Sequence, residues 1–346
     1  MKTLAAVLVE TGKPLVLGEL EIPPLKPGQV LLEIAYSGAC HTQVKEVRGL
    51  RGPDPWVPHC LGHEGTGKVL EIGPGVTKVK PDDQVVLSWI KGSGIEAGGT
   101  VYSWDGRNVN SGGVTTFARH AIASENRLIP LPTGLDMSHA VMLGCALPTG
   151  VGAVINSGSA RLGESVAIFG SGGIGTCAIL GACAAGCTPV IAIDINFSKL
   201  DLARRCGATH TIDAANANAV EAVRDICPNG VDLAVEATGI PAVMAQALGS
   251  VRAQGGRAVV VGNAPHGELL EINPRLLNDG KSLLGSWGGD SQPDRDYPRF
   301  ARMMAQGRID ITPVLSAPYR IADINDVLDD LEAGRVGRPL IDMALD

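Results

Sequence analysis

The segment Gly170-Ser171-Gly172-Gly173-Ile174-Gly175 constrains this chain more than any other. It follows an apolar run at 165–169, opens a helix-patterned stretch at 174–185, and is trailed by an apolar run at 189–194 ending on Asp194. Strand, tight glycine turn, helix and strand in that order predict a parallel βαβ unit, whose sheet must be covered on both faces. The glycines leave a helix N-terminus open to a pyrophosphate, and Asp194, nineteen residues after Gly175, supplies a carboxylate for ribose hydroxyls. Further strand-like runs at 231–235 and 258–261, with a helix at 198–206 between the units, extend the alternation. They predict a doubly wound parallel sheet over 151–287.

Residues 1–150 have a different rhythm. Short alternating runs such as 30–34 and 67–72, broken by Pro23-Pro24, Pro27-Gly28 and Gly73-Pro74-Gly75, predict a β-rich domain. The tail 288–346 is expected to return to it. With 346 residues, of which 45% are hydrophobic, the chain can fill two cores. A net charge of −7 without a basic cluster argues against a nucleic-acid partner. No apolar run has the length of a membrane span, and residues 1–9 are too short for a secretory core, so no membrane association and a cytoplasmic location are expected.

Three local frames carry metal chemistry: Gly38-Ala39-Cys40-His41-Thr42, Gly62-His63-Glu64-Gly65, and Leu143-Gly144-Cys145-Ala146-Leu147-Pro148-Thr149-Gly150. Two thiolates and one neutral imidazole, from Cys40, Cys145 and His63, cancel the charge of a zinc ion and leave one tetrahedral position open, as catalytic sites do. The other cysteines do not resemble a disulfide framework. Cys177, Cys183, Cys187 and Cys206 lie in apolar helical stretches, and they and Cys60 read as reduced core residues.

With the glycine loop, these frames make the chain resemble the zinc-dependent medium-chain alcohol dehydrogenases nearly from end to end. The resemblance implies a GroES-like β-rich catalytic domain, a Rossmann cofactor domain, one catalytic zinc ion, NAD and a homodimer or homotetramer. It implies interconversion of an alcohol with its aldehyde or ketone by hydride transfer. A zinc-bearing reductase of activated C=C bonds and an inactive binding member of the fold are the alternatives. Asp194 favours NAD because a carboxylate there repels the 2′-phosphate of NADP, and no arginine occupies 195–197.

Further roles come by position from the same resemblance. Thr42 matches the hydroxyl that hydrogen-bonds the substrate oxygen, and Glu64 a carboxylate near the metal. Gly170, Gly172, Gly173, Ile174 and Gly175 form the cofactor loop, joined by His41, Lys199 and Arg338 at ribose or phosphates. Trp89 and Arg51 match pocket positions, and Arg51, with Arg48, is expected to favour an anionic substrate. The chain departs from the family pattern at three places: Gln43 replaces an aspartate that hydrogen-bonds the zinc histidine, Lys45 replaces a proton-relay histidine, and 91–113 lacks the cysteines of a structural zinc lobe.

Overall fold

The structure, a computed structural model, describes residues 1–345. The chain forms two compact units, one from Met1–Cys145, Gln292–Ala305 and the stretch from Leu315 onward, the other from Ala146–Ser291 and Gln306–Val314. The first unit opens with β1 (Lys2–Leu8), β2 (Val16–Glu21), β3 (Gln29–Gly38), β4 (His59–Cys60) and β5 (Glu64–Ile72). It continues with β6 (Gln84–Ser88), β7 (Val101–Trp104), β8 (Arg107–Asn110), β9 (His120–Ser124) and β10 (Leu128–Pro130). The second contributes β11 (Val166–Phe169), β12 (Val190–Asp194), β13 (His210–Asp213), β14 (Leu233–Glu236), β15 (Arg257–Val260) and β16 (Ser282–Gly285). The tail adds β17 (Leu315–Tyr319) and β18 (Arg338–Asp342) to the first.

In the first unit β1-β2-β7-β8-β4 close a barrel, and β10-β6-β5-β3-β18-β17 form a sheet on which β9 also pairs with β3. Val30, Leu32 and Ile34 of β3 are buried with Val69, Val85, Leu87 and Phe117 in one core. Helix α1 (His41–Val47) leans on that core through Val44 and Val47, whose burial contributes about 1.5–3 kcal/mol each. Where a cysteine lobe would stand, residues 101–110 instead form the β7–β8 hairpin of the barrel.

The second unit is a six-stranded parallel sheet in the order β13-β12-β11-β14-β15-β16. Its central strands, such as Val-Ala-Ile-Phe in β11, are buried throughout, because helices cover both faces of a parallel sheet. Two expected boundaries move. Helix Ala146–Gly152 belongs here, not with the first 150 residues, because it packs on helix Gly173–Ala184 through glycines: a Cβ at Gly150 would lie 2.4 Å from the Ile174 carbonyl oxygen. Residues 288–291 and 306–314 likewise leave the tail for this unit. Ser291 Oγ donates to the Pro148 carbonyl at 2.8 Å, Arg308 to that of Ala184 at 3.1 Å, and Ile309, Ile311 and Val314 are buried. Among the described residues no single helix is long and apolar enough to cross a membrane.

Candidate metal centre and cofactor loop

Three segments of the first unit build the cluster. Cys40 caps α1, where its φ of −134° and ψ of 169° turn Sγ back to accept the Thr42 N–H at 3.4 Å. His63 follows Gly62, whose φ is +88° and where a Cβ would stand 2.4 Å from Thr116 Oγ1 and 2.7 Å from the Phe117 nitrogen. Cys145 follows Gly144, where a Cβ would meet the Leu87 carbonyl oxygen at 2.5 Å. The ligand atoms of Cys40, His63 and Cys145 all lie within 4.8 Å of one another, and Cys40 Sγ is 3.4 Å from His63 Nε2. Ordinary tetrahedral Zn–S and Zn–N bonds place such donors about 3.6 Å apart, so spacing and donor set both fit zinc. The contact with Cys145 lowers the Cys40 thiol well below its ordinary value, and the same contact, with burial, holds Cys145 well up. A divalent cation replaces the proton such a pair shares.

Three neighbours, Gln43, Glu64 and Arg338, surround the cluster. Gln43 Oε1 accepts the Cys40 N–H at 2.9 Å, which turns its Nε2 toward His63 Nδ1. The amide thus turns its donor toward the histidine ring, where an aspartate would present an acceptor. One amide oxygen cannot face both donors, whereas two carboxylate oxygens can. Glu64 and Arg338, 1% and 3% exposed at their side chains, form a buried ion pair behind the cluster. Gly38 makes room for it, since a Cβ there would lie 2.5 Å from Glu64 Oε1. Burial pushes the Glu64 carboxyl up against the pull of Arg338. Arg338, expected at a cofactor phosphate, is thus held inside the first unit by a carboxylate.

In the second unit, parallel pairing of Phe169 with Ile193 sets the glycine loop beside the end of β12. Asp194 Oδ2 accepts the Ser171 N–H at 2.7 Å and Oδ1 that of Asn196 at 2.9 Å, which leaves lone pairs on both oxygens for further donors. Gly175 admits no side chain, because a Cβ would fall 1.7 Å from the Gly170 carbonyl oxygen. At Gly172 nothing lies within 4 Å of a Cβ position, and this residue begins helix Gly173–Ala184 without a side-chain cap. An open cradle at an uncapped helix N-terminus fits a pyrophosphate. Lys199 stands in the first turn of helix Phe197–Arg205, and Arg204 of that helix is held on Thr211 Oγ1 at 2.5 Å.

A cavity of about 600 Å³ opens beside the metal cluster, lined by Thr42 and His63 together with Glu46, Arg51, Asp54, Trp56 and His59. Of the residues expected at a pocket, Arg51 lines it, but its Nη1 faces Glu46 Oε2 at 3.8 Å. Arg48 is spent on Asp329 and Glu332, at 2.5 and 2.9 Å. Trp89 packs against the first unit's core and does not line this cavity. Lys45 lies in the last turn of α1 and His41 at its exposed start. Cys60 lines the cavity although only 5% exposed, and burial pushes its thiol up to about 12. Sequence reasoning missed Glu46, Asp54 and His59, whose ligand-type atoms lie within 4.8 Å of one another. No motif marks them, and only the fold of 46–59 brings them together.

Comparison with known proteins agrees with this architecture. The family model described as alcohol dehydrogenase GroES-like domain matches residues 26–133, and that described as zinc-binding dehydrogenase matches 173–306. The chain is 33% identical to S-(hydroxymethyl)glutathione dehydrogenase of Escherichia coli over 99% of its length and 100% of that protein. Benzyl alcohol dehydrogenase from Acinetobacter calcoaceticus superposes with a TM-score of 0.91 at 29% identity, covering 99% of this chain and 100% of that one. A zinc-binding dehydrogenase from Sinorhizobium meliloti bound to NADP gives 0.81 at 26% identity, with 99% of each chain covered.

Proposed function

The chain belongs to the zinc-dependent medium-chain alcohol dehydrogenases, enzymes of alcohol and carbonyl oxidoreduction, and from that premise we propose that it oxidises an alcohol at the Cys40–His63–Cys145 centre with one zinc ion and NAD. The observation that carries the reading is the shared wall: Thr42 and His63 line one cavity, so a hydroxyl and a member of the ligand cluster can address the same substrate oxygen. When bound, zinc supplies a Lewis acid and the dinucleotide accepts hydride.

The chain's own residues do the rest. Cys40, His63 and Cys145 hold the ion, and Gln43 fixes the Cys40 backbone. Thr42 hydrogen-bonds the substrate hydroxyl and takes its proton onward, since a threonine oxygen accepts and donates at once. Arg338 balances the charge of Glu64 behind the cluster. Gly170, Gly172 and Gly175 cradle the pyrophosphate and Asp194 the adenosine ribose, where its charge disfavours a 2′-phosphate.

Metal analysis together with NADH absorbance tests this. One zinc per chain and NAD-linked oxidation of an alcohol are expected, with Asp194→Ser narrowing the preference for NAD over NADP. Two tightly held zinc ions, or equal efficiency of the unaltered chain with NADP, would remove the corresponding part of the proposal.

A further inference from the structure

The order β13-β12-β11-β14-β15-β16 reverses between β11 and β14, and open α/β sheets bind ligands in the crevice outside the carboxyl ends of the strands at such a switch point. Gly170 leaves one strand of that pair. The other ends on Glu236, which stands beside Phe169 in the parallel register. Leu233, Ala234 and Val235 before it are apolar and buried, as the interior of such a sheet requires. Glu236 is a carboxylate in the same row, at 0% exposure. Burial of that group is unfavourable unless hydrogen bonds compensate it, so what those bonds hold matters.

They hold the turn after β14. One oxygen, Oε1, accepts the Thr238 N–H at 2.6 Å, the Thr238 hydroxyl at 2.5 Å and the Gly239 N–H at 2.9 Å. The turn so fixed presses on the start of the glycine loop: a Cβ at Gly170 would lie 2.6 Å from Thr238 Cγ2 and 3.3 Å from the Thr238 nitrogen. The Ala237 N–H donates to the Phe169 carbonyl at 2.8 Å, so the same turn also grips the end of β11. On its other side the Glu236 carbonyl accepts the N–H groups of Val261 at 2.9 Å and Gly262 at 3.1 Å. A Cβ at Gly262 would stand 2.1 Å from the Gly239 nitrogen and 2.8 Å from Glu236 Oε2. Three loops, at the carboxyl ends of β11, β14 and β15, are tied together through one residue.

Building on the reading of the glycine loop as a dinucleotide site, we infer that Glu236 is a positioning residue for the cofactor: it fixes Thr238 against Gly170 and so holds the loop in the shape that receives the pyrophosphate. Glu236 touches no ligand itself, because the residue is fully enclosed. Its effect is preorganisation, which removes an ordering cost from binding. A loop that keeps its binding shape only about a tenth of the time binds about 10-fold more weakly.

Calorimetric titration of the zinc-loaded enzyme with NADH, ADP-ribose and 5′-AMP, without turnover, tests this. Glu236→Ala raises Kd by about 10-fold for NADH and ADP-ribose, which carry the pyrophosphate, and by less than about 3-fold for 5′-AMP, which lacks it. Zinc content stays unchanged. Glu236→Gln keeps the Oε1 acceptor and places its amide nitrogen where Oε2 accepts no hydrogen bond among the described residues, so it restores NADH affinity to within about 3-fold. Thr238→Val keeps a methyl group for Gly170 but removes the hydroxyl, and raises the NADH Kd by about 3-fold; it carries the test if Glu236→Ala does not fold. In steady state the KM for NAD rises in both variants and the KM for the alcohol does not. An NADH affinity that either variant leaves unchanged, or equal weakening of all three ligands, overturns the inference and spares the dinucleotide reading. An unaltered chain that binds neither NADH nor NADPH overturns both.

Discussion

Two clusters of metal-capable donors lie in the first unit, each with its ligand atoms within 4.8 Å, and both reach the same cavity. Cys40, His63 and Cys145 have soft sulfur donors that contact one another. Glu46, Asp54 and His59 have hard oxygens, and two of the three are already bound: Asp54 to Trp56 and His59, His59 to Asp54 and Cys60. Asp54 keeps lone pairs, but both ring nitrogens of His59 are engaged, so an ion at the second cluster would first have to break one of the histidine's hydrogen bonds. Proximity of donors is therefore a weaker criterion than whether their lone pairs are free, and softness then selects the ion.

The largest effect expected from this contrast is at the first cluster. Cys145→Ala should release zinc and abolish turnover while the fold and NADH binding survive, and His59→Gln should leave zinc at one ion per chain. A second ion that disappears in His59→Gln would break the comparison. Next comes the buried pair behind the cluster. Arg338→Met strands the Glu64 carboxylate, 1% exposed, and should destabilise the chain by about 3–5 kcal/mol in urea titration, whereas a loss below about 1 kcal/mol would show the pair to be hydrated.

Gln43→Glu sharpens the comparison in the opposite direction. Two carboxylate oxygens satisfy both the Cys40 N–H and a proton on His63 Nδ1, so zinc affinity should rise by about 10- to 100-fold in competition with a chelator. Unchanged affinity would mean that the amide already serves His63.

The smallest effect belongs to the second cluster. Burial raises the Asp54 carboxyl, but the Trp56 N–H and His59 outweigh it and hold the group below its ordinary value. A depressed carboxyl contributes stability above its unfolded pKa of about 3.9, and that contribution is lost as pH falls through the folded value. The melting temperature of Asp54→Asn should accordingly fall below that of the unaltered chain near neutrality, and the gap should close on acidification below about pH 4. A gap independent of pH would assign the loss to packing.

Much of the site could be read from short frames because its chemistry is local. Each member of the Cys40–His63–Cys145 cluster sits beside a glycine or at a helix start, as Gly62 precedes His63 and Cys40 caps α1. The glycine loop carries its own steric reason at Gly175, and Asp194 follows it at the distance of one helix and one strand. The parallel sheet was legible for the same reason, since strands buried on both faces are apolar throughout.

Long-range packing decided the rest. Nothing near Arg338 in the chain indicates that Glu64 will hold it, and nothing near Trp89 indicates a place in the core while Trp56 takes the cavity wall. Residues 306–314 carry apolar side chains that either unit could have buried. The sequence by itself determined the folds of the two units, the frames of the Cys40–His63–Cys145 cluster and the glycine loop, because backbone geometry acts over a few residues. Tertiary structure alone decided which charges pair and which carboxylates line the cavity, because burial and pairing depend on segments far apart in the chain.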